Sequence, residues 1–232
     1  MIQKILVLSD SLAAPRSSEG KDVLKHYETW PYLLRESFTG IEVAQVSVGH
    51  ATVDFVLAQC KYWLPFNPDL VIVQAGINDC IPRALHKYEI EILKKLDRFY
   101  FGKKMSDQIH KRRIWLRDKR NISYTCKAEF RKQVSGFKDH FNNVFFINMI
   151  YDKNKNLRQF ANKDQIKNTV DIYNSLIRHE YQTNLIDISG VPSDFVLDDG
   201  FHLNHTGHQF VLSELMQATG LDSDPNRKCY EM

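Results

Sequence analysis

Ser11 stands three residues beyond an apolar run, Ile5-Leu6-Val7-Leu8, and far along the chain Asp199 and His202 sit three apart in Asp198-Asp199-Gly200-Phe201-His202-Leu203-Asn204. A serine hydroxyl becomes a nucleophile when a neighbouring imidazole takes its proton. The imidazole in turn needs an acceptor on its other nitrogen to hold the tautomer and stabilise the imidazolium. Asp199, one turn before His202, meets that need locally. His205 and His208 compete with His202 as the base and Asp198 competes with Asp199 as the acid; spacing favours the Asp199/His202 pair, and His205 and His208 fit the start of a last helix. The tetrahedral intermediate of acyl transfer also needs fixed donors for its oxyanion. The amides of Ser11 and Gly49 and the side-chain amide of Asn78, in Gly76-Ile77-Asn78-Asp79, are the candidates.

Each of these residues follows an apolar run, and the runs dictate what positions them. Ile5–Leu8, Ile41–Val48, Leu70–Val73, Val144–Ile147 and Leu185–Ile188 read as strands, the first and third continuously apolar, as in a sheet buried on both faces. Between and after them, segments 27–38, 50–64, 125–141, 164–181 and 205–218 repeat apolar residues at helical spacing, the first ending at Gly40 as a C-cap. Residues 9–20, with Pro15 and paired serines, read as a loop. Strand alternating with helix calls for a parallel sheet covered on both faces, in which ligands bind beyond the carboxyl ends of the strands. Ser11, Gly49, Asn78, Asp199 and His202 then gather along one edge. Taken singly each is an ordinary turn residue; together and in order they read as a site. Asp10 and Asp79 are expected to tie loops to backbone amides, and Cys80 to be a small buried residue.

In that order and spacing, Ser9-Asp10-Ser11-Leu12, Gly49, Gly76-Ile77-Asn78-Asp79 and Asp199-Gly200-Phe201-His202 resemble the blocks of the SGNH (GDSL-type) hydrolase superfamily, over nearly the whole chain. The resemblance implies a three-layer α/β/α sandwich around a five-stranded parallel sheet of flavodoxin-like type. It makes Ser11 the nucleophile, Asp199 and His202 its partners, and Gly49 and Asn78 oxyanion donors. The family's Gly-Asp-Ser begins here with Ser9, another small residue. The Gly-x-Ser-x-Gly signature of α/β-hydrolases is absent.

Composition bounds the rest. The 232 residues, 43% hydrophobic, suffice for one α/β domain. The apolar run at the start is too short for a signal peptide and no run reaches a membrane span, so no stable membrane insertion and a cytoplasmic location are expected. Four scattered cysteines (Cys60, Cys80, Cys126, Cys229) suggest neither a zinc site nor a disulfide framework. The net charge of +3 is too mild to argue for nucleic acid. It is unevenly spread: residues 94–132 hold fourteen Lys and Arg against four Asp and Glu, interleaved with Phe99, Tyr100, Phe101, Trp115 and Tyr124. This basic insertion reads either as a solvated helical segment whose aromatics pack on the body or as a cover that draws an anionic substrate to the rim of the site. Arg83, just past Asn78, reads either as a holder of a substrate carboxylate or phosphate or as one half of a structural ion pair.

The expectation is a serine esterase that removes an acyl group, in particular O-acetyl, from a sugar or polysaccharide through an acyl-enzyme, with no metal or organic cofactor required. Acyl transfer to an acceptor hydroxyl and lipid ester hydrolysis use the same residues. A non-catalytic polyanion or glycan binder is the alternative from another class.

Overall fold

The structure, a computed structural model, describes residues 2–18, 21–96, 98, 100–155 and 162–221. Cys229, Asp97 and Phe99 lie outside them. Strand β1 (Lys4–Ser9) is followed by a short 3-10 turn at Ser11–Ala13. A two-stranded antiparallel hairpin comes next, β2 (Arg16–Ser18) with β3 (Lys21–Leu24). The expected loop over 9–20 is thus part strand. Its residues are polar and pair only locally, so no apolar alternation marked them.

Helix α1 (Trp30–Glu36) is shorter than the 27–38 expected. Pro31 sits in its first turn, where a missing N–H costs nothing. It closes at Ser37, whose N–H donates to Leu33 and Leu34, so Gly40, three residues on at φ +85°, serves a later turn and not the cap. Then come β4 (Glu42–Ser47), α2 (Val53–Trp63), β5 (Leu70–Gln74) and α3 (Ile77–Cys80). After these run α4 (Lys87–Leu96), α5 (Tyr100–Lys111), α6 (Arg113–Arg120) and α7 (Lys127–Gly136). The chain closes with β6 (Val144–Ile147), α8 (Lys163–Tyr181), β7 (Leu185–Ile186) and α9 (His205–Thr219).

Five strands form one parallel sheet in the order β4-β1-β5-β6-β7. The first strand in sequence therefore lies inside, between the second and third of the sheet, and the connections leave in opposite directions from it. This is the flavodoxin-like order, whose switch point lies between β1 and β5. Alternation along the buried strands divides the core in two. Leu6, Leu8, Val71 and Val73 point to the face covered by α2, α7 and α8; Ile5, Val7, Leu70 and Ile72 point to the face covered by α1 and α9. The result is a three-layer α/β/α sandwich.

The expected basic insertion divides at its two ends. Helix α7 belongs to the body, with Phe130 and Val134 fully buried. Helices α4 and α6 bury no residue, and Tyr88, Ile92 and Trp115 are left exposed, so Trp115 does not pack on the body. Among the described residues no helix is long and apolar enough to cross a membrane.

Candidate active site

Ser11 is positioned by the turn that ends β1. The Asp10 amide donates to Gln74 O (3.1 Å), stitching the end of β1 to that of β5, and Asp10 Oδ1 accepts from Leu12 N (2.9 Å). Ser9, where the family has glycine, fits because its buried hydroxyl meets Ser47 Oγ of β4 at 2.7 Å. Asp10 is fully buried, and its other oxygen, Oδ2, has no partner among the described residues. Burial drives its pKa up to about 7 against the Leu12 and Gly76 amides, with Asp79 adding repulsion.

The candidate acid and base, Asp199 and His202, lie in the turn before α9. The Gly200 N–H donates to Leu197 O and its carbonyl accepts from Asp152 N. Gly200 takes φ +82°, a conformation cheap for glycine. Asp199 then folds over the next three residues: Oδ1 accepts from His202 N (3.0 Å) and Phe201 N (3.3 Å), and Oδ2 receives His202 Nδ1 at 2.7 Å. The far ring nitrogen, His202 Nε2, lies 3.0 Å from Ser11 Oγ. Residues 191 positions apart thus form one hydrogen-bonded chain, carboxylate to imidazole to hydroxyl.

The competing residues lie elsewhere. His208 is buried and accepts from Trp30 N at Nδ1 (3.1 Å), tying α9 to α1; desolvation lowers its pKa to about 3, so it is neutral. His205 opens α9, behind the Asn204 cap.

The electrostatics suit a base. Burial raises the cost of charging Asp199, but the hydrogen bond and charge of His202, the His202 amide and Arg16 outweigh it and bring Asp199 to about 2. His202 is held below the usual imidazole value, first by desolvation and then by the Arg16 and His50 charges, with Asp199 opposing. Its neutral form therefore prevails at neutral pH, the form that can accept the Ser11 proton.

Arg16, at 3.3 Å from Asp199 Oδ2, carried no signal in the sequence, since it lies in a polar segment with no motif. His50 likewise carries no motif; its φ of +62°, unusual for a side-chain-bearing residue, is visible only in the backbone.

Asn78 is buried in α3, a single turn that starts from Gly76 at φ +126°. Its Nδ2 donates to Ala51 O (3.2 Å), using one of its two hydrogens. Asp79 secures the turn as expected: Oδ2 accepts from Val53 N (2.9 Å) and Oδ1 from Thr125 Oγ1 (2.5 Å). Gly49 is exposed in the turn after β4, and a Cβ built there would meet nothing within 4 Å, so the space above its backbone is open. Arg83 has a protein partner: Nη2 donates to Asn78 Oδ1 (2.8 Å) and also reaches Asn78 O (3.3 Å). Cys80 is buried, as expected, and its thiol is pushed far up by desolvation.

A model of the GDSL-like Lipase/Acylhydrolase family matches residues 10–210. The chain belongs to that family and is an SGNH hydrolase. Solved structures share the fold. A lipase/acylhydrolase from Enterococcus faecalis is 16% identical with a TM-score of 0.60, over 98% of this chain and 100% of that one. An extracellular lipase from Streptomyces rimosus is 15% identical with a TM-score of 0.57, over 93% and 99%. An acetyl xylan esterase, AlAXEase, is 15% identical with a TM-score of 0.56, over 93% and 97%. No curated protein sequence matches the chain.

Proposed function

We propose that this SGNH hydrolase is a serine esterase that removes a small acyl group, in particular acetyl, from a sugar or polysaccharide. The observation that carries the reading is the chain from Ser11 Oγ to His202 Nε2 (3.0 Å) and from His202 Nδ1 to Asp199 Oδ2 (2.7 Å). Ser11 attacks the ester carbonyl while His202 takes the hydroxyl proton, and Asp199 stabilises the imidazolium that forms. The Ser11 and Gly49 amides and the remaining hydrogen of Asn78 Nδ2 receive the oxyanion. His202 then protonates the leaving alcohol. Water, activated by the same imidazole, releases the acid from the acyl-enzyme and restores the serine. The sugar and acetyl parts rest on two lesser supports: a fold neighbour named an acetyl xylan esterase, and polar surroundings, with the cations Arg16 and Arg83, that favour a polar alcohol over a lipid.

The test is hydrolysis of p-nitrophenyl esters from acetate to octanoate by the native chain, Ser11→Ala and His202→Ala. Turnover confined to short esters, with both variants down by roughly 10³-fold or more, is expected. Activity that rises toward octanoate would replace the acetyl-sugar reading with a lipid esterase. Variants as active as the native chain would remove these residues from the mechanism.

A further inference from the structure

We propose that Gln45, Ser47 and Ser9 are positioning residues for the oxyanion donors: a relay of hydrogen bonds that runs from strand β4 to the Asp10–Ser11 peptide and sets the direction of the Ser11 N–H. The proposal rests on the esterase reading above and deepens it by naming what orients the oxyanion site from behind.

The relay has one direction in which every hydrogen finds an acceptor. Gln45 Nε2 lies 3.3 Å from Ala13 O, a group that only accepts, so the nitrogen end of this amide faces the turn. The same nitrogen lies 2.7 Å from Ser47 Oγ, and each of its two hydrogens is thereby used. Ser47 Oγ, already an acceptor, passes its own hydrogen to Ser9 Oγ at 2.7 Å, and Ser9 Oγ donates to Asp10 O at 3.2 Å. Ser9 is fully buried, where a hydroxyl without partners is costly; here it accepts one bond and donates another.

The far end of the relay bears on the chemistry. Asp10 O and Ser11 N belong to one planar trans peptide, so the direction of the carbonyl fixes that of the N–H opposite it. A donor on the oxygen also polarises the peptide and strengthens its N–H as a donor. On the β5 side the turn is held by Asp10 N on Gln74 O (3.1 Å). On the β4 side the relay grips it at both Asp10 and Ala13.

Register extends the effect to the second amide. β1 and β4 run parallel with Ser9 opposite Ser47, and Ser11 and Gly49 each lie two residues further on. The hydroxyl pair therefore joins the strands where the turns bearing the two candidate oxyanion amides depart, and Val48 N donates to Ser9 O (3.0 Å) one step beyond. The relay acts on the backbone of Ser11, whereas His202 meets its Oγ, so the two can be told apart by kinetics.

The experiment is steady-state hydrolysis of p-nitrophenyl acetate by the native chain and variants of the relay. Ser9→Ala and Ser47→Ala should each lower kcat about tenfold, with KM little changed and the acid limb of the pH profile in place, since His202 is untouched. The double variant should lose no more than either alone, because both changes cut one relay. Ser47→Thr, which keeps the hydroxyl, should recover most of what Ser47→Ala loses. Gln45→Met cuts the other end and should also lower kcat, so a Ser9 variant that fails to fold leaves the test standing. Ser135→Ala, which removes a hydroxyl bonded to Lys132 O on α7, should match the native chain. Thermal melts establish that each variant is folded. Native-like kcat in the folded relay variants, losses that multiply in the double variant, or no recovery in Ser47→Thr would overturn the proposal. Failure of the esterase reading is distinct: a native chain that cleaves no ester, or Ser11→Ala as active as native, in which case the relay has no oxyanion site to position and falls with it.

Discussion

Arg16 Nη2 lies 3.3 Å from Asp199 Oδ2, the same oxygen that receives His202 Nδ1 at 2.7 Å. The hairpin of β2 and β3 thereby sets a cation at the outer end of the acid–base chain. The cation holds Asp199 ionised and also works against protonation of His202.

Arg16→Gln should therefore move the acid limb of the kcat/KM profile to higher pH. The imidazole must be neutral to act as base, and without the cation its protonated form is less disfavoured. The pH profile of p-nitrophenyl acetate hydrolysis checks this. A limb that stays in place or moves down would mean that Arg16 does not act on His202.

Asp199→Asn should cost on the order of 10³ to 10⁴ in kcat, with a far smaller change in KM, because the amide neither fixes the tautomer of His202 nor stabilises its cation. Steady-state kinetics on a short ester read the split. A loss below tenfold would assign the acid to another carboxylate, Asp198 first.

Gly76→Ala should lower stability by about 1–3 kcal/mol. Gly76 adopts φ +126°, and a Cβ there would come within 3.0 Å of Met149 Sδ and 3.1 Å of Phe130 Cζ. Since Gly76 launches the turn carrying Asn78, kcat should fall as well. Urea unfolding and kinetics together test this; an unchanged midpoint would show that Phe130 and Met149 yield freely.

Asp10 and Asp79 make stability fall as pH rises. Their folded values of about 7 and about 6 lie above the unfolded carboxylate value, so over that window the native state holds protons that the unfolded chain has lost. The buried His208, at about 3, acts oppositely: its contribution disappears as pH drops from about 6.5 toward 3. Asp10→Asn should flatten the decline between pH 5 and 7.5, each such group contributing at most about 1.4 kcal/mol per pH unit. Urea midpoints across that range decide it; parallel native and variant curves would mean that Asp10 is already ionised in the folded protein.

Much of this architecture was legible in the chain. β1 and β5, buried on both faces, are unbroken apolar runs, and α8 declares itself by Ile166, Val170, Tyr173, Ile177 and Tyr181 at helical spacing, all buried. The hairpin at Arg16 was not legible, because polar strands held by local pairing leave no periodic trace. Arg83 could be picked out by its place after Asn78, but not which partner it would take.

By itself the sequence determined which groups could do chemistry and that they follow strand ends, since apolar periodicity and the short reach from Asp199 to His202 are local properties. Only the tertiary structure decided that Ser11 meets His202 across 191 positions, that Arg16 and His202 share one oxygen of Asp199, and that Arg83 takes Asn78 as its partner. Those contacts depend on strand order and on the angle at which turns leave the sheet, and both are set by packing of the whole core.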